Sequence, residues 1–124
     1  MYSRASEPES AYDLFVRGTR FLREGHPHQA AMLLSRAKLL EPEKASIREA
    51  LGRAWFLAGR IGRARREFAK AVAIDPVNDY AHFALGLACA RTGERARALA
   101  HLKLAVALRP GMADYEAALA RLAG

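Results

Sequence analysis

Four histidines and one cysteine are the side chains best suited to ligate a metal or to serve as a base and nucleophile, and their spacing supports neither role. His26 and His28 flank Pro27 in a predicted turn, without the cysteine, histidine or carboxylate spacing of a metal site. His82 and His101 fall at surface-type positions of two different predicted helices, so no metal site is expected. Cys89 stands where Trp55 stands 34 residues earlier, which marks it as a small core residue. The chain has no phosphate-cradling glycine loop, no paired carboxylates on one predicted face and no serine or cysteine with a plausible base. It reads as a non-enzyme without a cofactor.

Charge is the other chemical signal. The net charge is +7, and the excess belongs to residues 45–112. Arg60, Arg63, Arg65 and Arg66, with Arg91, Arg95 and Arg97 further on, cluster at predicted turns and helix starts. Side by side they would form a basic edge for an acidic protein or a phosphate backbone. No base-stacking aromatic stands among them in sequence, and no helix-turn-helix or zinc spacing occurs. Nucleic acid is therefore the weaker expectation, and a solvated face the plain alternative.

What must position these side chains is visible in a period. Pro42, Pro76 and Pro110 stand 34 residues apart, and so do Gly18, Gly52 and Gly86; Gly25, Gly59 and Gly93; Ala30, Ala64 and Ala98; and Ala37, Ala71 and Ala105. A repeat of this length signals stacked helical hairpins. First helices are predicted near 11–24, 45–58 and 79–92, each stopped by a glycine suited to a left-handed cap. Second helices are predicted near 28–40, 61–74 and 95–108, each closing before its proline. Gly18, Gly52 and Gly86 with Ala30, Ala64 and Ala98 let paired backbones approach, and Leu34, Phe68 and Leu102 fill the space between them.

Leu51, Gly52, Trp55, Gly59, Ala64, Phe68, Ala71 and Pro76, matched by Leu85, Gly86, Cys89, Gly93, Ala98, Leu102, Ala105 and Pro110, resemble the tetratricopeptide repeat. Residues 11–44 are looser, with Arg17 in place of the leucine. The resemblance implies an all-α superhelix of stacked antiparallel hairpins. The division is an N-terminal extension (1–10), three repeats (11–44, 45–78 and 79–112) and a capping helix (113–124), in which Tyr115, Leu119 and Leu122 keep helical spacing.

A 52% hydrophobic composition is too apolar for disorder. No run approaches the ~20 apolar residues of a membrane helix. Met1 to Ser10 contains no apolar run of the signal-peptide kind. With one cysteine there is no internal disulfide, and a cytoplasmic setting is the default.

On the first helices Leu51, Gly52 and Trp55 share a predicted core stripe, as do Leu85, Gly86 and Cys89. The opposite side carries Tyr12, Phe15, Thr19 and Leu22, then Ser46, Glu49, Arg53 and Phe56, then Tyr80, Phe83, Leu87 and Arg91. The resemblance implies that this side lines a concave, partner-holding surface. Family members that grip a chaperone's C-terminal carboxylate use lysine, asparagine and arginine there, where this chain has Phe15, Thr19, Ala50, Tyr80 and Ala84. The expected function is a protein–protein interaction scaffold whose groove (Tyr12, Phe15, Thr19, Glu49, Arg53, Phe56, Tyr80, Phe83, Leu87) takes an apolar peptide or helix. The alternatives are a basic adaptor working through the arginine edge, and a structural module that self-associates through its repeat ends.

Overall fold

The computed structural model describes residues 7–124, which form seven helices and no strand. These are α1 (Ala11–Arg23), α2 (Pro27–Leu40), α3 (Ala45–Leu57), α4 (Ile61–Ile74), α5 (Asp79–Arg91), α6 (Arg95–Leu108) and α7 (Ala113–Ala123). Each helix packs on the next in sequence, and α1, α3, α5 and α7 also touch in series. That second contact set makes the odd-numbered helices one continuous inner wall. No helix among the described residues is long and apolar enough to cross a membrane.

The hairpin turn is the same local solution three times. Gly25, Gly59 and Gly93 have φ of +82°, +82° and +83°, the left-handed region that only glycine enters without cost. The residue after each glycine donates back to the helix it leaves: His26 N to Phe21 O at 2.8 Å, Arg60 N to Trp55 O at 2.8 Å and Glu94 N to Cys89 O at 2.9 Å. This six-to-one bond and the glycine's own shorter one satisfy carbonyls that a helix end otherwise orphans. The even helices end in residues that have left helical geometry, Glu41, Asp75 and Arg109, immediately before the periodic prolines.

Within each hairpin the helical glycine meets a large side chain of the partner helix. A Cβ on Gly52 would lie 2.5 Å from the Phe68 ring; on Gly18 it would lie 2.7 Å from Leu34, and on Gly86 2.9 Å from Leu102. Leu34, Phe68 and Leu102 are buried, as are the periodic alanines of the even helices. Leu22, expected on the outward side of α1, is instead buried against Ala30, Ala31 and Leu34. It lies in the last turn of α1, which closes onto α2. Cys89 is buried too, and burial together with Glu94 pushes its thiol up, as suits an inert packing residue.

Two partly buried polar clusters tie hairpins to the connections before them. Glu67 accepts from Lys38 Nζ at 2.9 Å and from Arg48 Nη1 at 3.0 Å, while Arg48 Nε donates to the Pro42 carbonyl at 2.9 Å. His82 and His101, expected at surface positions of separate helices, occupy the equivalent places one period on. Their Nδ1 atoms are 3.0 Å apart, their rings stack at 5.3 Å, and His82 Nε2 donates to the Pro76 carbonyl at 2.8 Å. His82 is 5% exposed. The helical face was legible, but only the packing of α6 on α5 turned it inward.

Candidate peptide-binding groove

The inner wall of α1, α3, α5 and α7 carries four clefts that share lining residues and so form one trough. At its α1 end Tyr12 and Phe15 stand beside Ser46. Phe15, Thr19, Glu49 and Arg53 continue it to Tyr80. Arg53, Phe56, Tyr80, Phe83 and Leu87 line the next cleft, about 190 Å³, which opens onto Phe56 and Leu87 beside α7. All nine residues expected to line a groove thus stand along one trough. The reason is the helix–helix contact: the period repeats each position on the next odd helix, and the α1–α3–α5 series sets equivalent positions side by side.

The aromatic side chains are not free in this wall. Phe83 stacks on Tyr115 of α7 at 4.7 Å, and Tyr80 leans on Phe83 at 6.2 Å. Tyr115 is buried and its hydroxyl donates to Asp79 Oδ2 at 2.6 Å; burial and that bond push its phenol well above the usual range. Tyr80 and Glu49 are also pushed up, chiefly by burial. Glu49 accepts a hydrogen bond from the Asn78 amide, whose oxygen caps α5 by accepting from Ala81 N at 3.0 Å. Tyr12 and Leu57, by contrast, are exposed.

Leu57, Ala118, Arg121 and Leu122 line the trough without having been expected there. Two signals could have found them. Leu57 follows Arg53 by four residues and so shares its helix face. Arg121 follows Leu87 by one full period, so carrying the repeat into the capping helix places it on the wall.

The seven arginines assigned to a basic edge have different partners. Arg65 and Arg97 both pair with Glu94, each at 3.3 Å. Arg95 donates to the Leu122 carbonyl at 2.8 Å, and Arg63 lies 4.8 Å over the Trp55 ring. Arg91 belongs to the trough, 5.4 Å over Phe56. Arg60 and Arg66 remain as exposed basic side chains. An aromatic does stand among these arginines, but Trp55 is half-buried beneath one of them.

Comparison with known proteins agrees with this architecture. The family model described as Tetratricopeptide repeat matches residues 15–79 and 58–113, and the chain belongs to that family. No curated protein matches it in sequence. Among solved structures, the first TPR of Spaghetti (RPAP3), bound to the HSP90 peptide SRMEEVD, is similar with TM-score 0.89 at 16% identity, over 98% of this chain and 96% of that one. MamA is similar with TM-score 0.90 at 22% identity, over 95% of this chain and 69% of that one. The Sgt2 TPR domain from Aspergillus fumigatus gives 0.87 at 16%, over 99% and 83%. At these identities the likeness is one of fold.

Proposed function

We propose that this protein is an interaction scaffold that holds an apolar segment of a partner protein in the trough along α1, α3, α5 and α7. The observation that carries the reading is the continuity of four clefts floored by Phe15, Phe56, Tyr80, Phe83 and Leu87. A large apolar surface left wet forgoes burial worth about 25 cal/mol per Å². Three similar structures were solved with a bound HSP90 or HSP70 peptide. Phe15, Thr19, Ala50, Tyr80 and Ala84 put no cation at the positions where carboxylate-gripping members of the family carry lysine, asparagine and arginine, which favours an apolar ligand over a chain-terminal carboxylate.

Capture of partners by the intact chain, followed by affinity measurement with Phe83→Glu and Leu57→Glu, tests this. Phe83 also stacks on Tyr115, so the exposed Leu57 supplies a second probe that leaves the core alone. Both variants should lose at least tenfold in affinity. Full affinity in folded forms of both would remove the trough as the binding surface.

A further inference from the structure

The α7 half of the trough combines an apolar floor with cations and no anion. Phe56, Leu57, Phe83, Leu87 and Leu122 line its two clefts, and among the described residues the only charged side chains in them are Arg53, Arg91 and Arg121, with no aspartate or glutamate. Elsewhere Glu9, Glu67 and Glu94 each hold two cations, and Glu43 and Asp79 hold one each. Arg53, Arg91 and Arg121 make no ion pair among the described residues. Glu49, whose charge Arg53 feels, lies in the neighbouring cleft and accepts from Asn78. Arg91 is held by the face of Phe56, which leaves the guanidinium edge and its donors open to a ligand.

A guanidinium fixed beside an apolar pocket recognises a carboxylate with more geometric demand than a lysine would, and the surrounding apolar wall weakens screening by water. We infer that the segment this trough accepts is acidic as well as apolar: large apolar side chains seated on Phe56, Phe83 and Leu87, with aspartate or glutamate side chains beside them meeting Arg53, Arg91 and Arg121. This inference rests on the trough being the binding surface. It places the ligand's charges at the α7 end, on side chains rather than on a chain terminus.

Selection from a displayed library of random 16-residue internal peptides tests it, with the intact chain, an Arg53→Gln/Arg91→Gln/Arg121→Gln variant and Leu57→Glu as baits. All three arginines are exposed, and an unchanged thermal midpoint verifies the fold of the triple variant. The intact chain should enrich peptides that carry apolar residues with aspartate or glutamate within one turn. Replacing those acids by glutamine in a synthetic, end-blocked peptide should weaken binding by roughly tenfold or more by fluorescence anisotropy, and the triple variant should abolish that difference. Apolar peptides selected without an excess of acids, or equal affinity of the acid and glutamine forms, would overturn the inference while leaving the trough intact. Enrichment of the same pool by Leu57→Glu, or no enrichment by the intact chain, would overturn both.

Discussion

Arg48, Glu67 and Pro42 in one hairpin and His82, His101 and Pro76 in the next are the same three positions with different chemistry. The side chains of the first cluster are all charged. Removing its anion by Glu67→Ala strands two cations, and because Lys38 and Arg48 keep some access to water the expected cost is about 2–3 kcal/mol, below the ~3–5 of a fully buried pair. Urea denaturation measures it. The second cluster is neutral when its one internal proton is shared, since Pro76 O fixes the proton on His82 Nε2 and His101 must then donate to His82 Nδ1. Burial, then His82, then Arg97, hold the His101 imidazole below its ordinary 6.5. A base whose folded pKa is lowered stabilises the fold fully above the unfolded value and loses that contribution as pH falls below it. The thermal midpoint should therefore drop as the pH falls through and below 6.5, and less so in His82→Leu/His101→Leu, which copies the buried Leu14 and Leu33 at the same places in the first hairpin. An equal drop in both proteins would show the pair is not responsible.

Within a hairpin, three glycines with the same side chain face opposite consequences on substitution. Gly52→Ala gains helix propensity of up to about 1 kcal/mol, yet its new methyl would sit 2.5 Å from a buried phenylalanine ring, and overpacking of ~1–3 kcal/mol should win. Gly59→Ala meets nothing within 4 Å but must adopt φ +82°, so it should lose about 1–2 kcal/mol through backbone strain alone. Gly62→Ala, also in open space and in the first turn of α4, should instead stabilise by about 0.5 kcal/mol. Chemical denaturation of the three variants should give that order. A neutral Gly52→Ala would mean that α3 and α4 separate freely, contrary to the close approach that defines the hairpin.

For the whole molecule, α7 is both cap and wall. It closes the apolar end of α5 and α6 through the Phe83–Tyr115 stack, the Tyr115–Asp79 bond and the bond from Arg95 to the Leu122 carbonyl. Tyr115→Ala should cost about 3 kcal/mol and also loosen Phe83, so that both the thermal midpoint and ligand affinity fall. Tyr115→Phe keeps the stack and removes only the hydroxyl. It should cost about 1 kcal/mol and leave affinity unchanged, as calorimetry and anisotropy can verify.

The helices, their glycine stops and their proline spacers were legible in the sequence because each is local: periodic small residues and a left-handed turn constrain only a few neighbours. The residues of the trough were legible as positions on a face, since a helix fixes angles from residue numbers alone. Contacts between helices were not. Sequence placed His82 and His101 on separate surfaces and seven arginines on one edge, and packing joined the first pair and gave members of the second group different partners. Whether a face meets solvent, a neighbour or a trough depends on which helix lies across from it, a long-range property no local pattern contains.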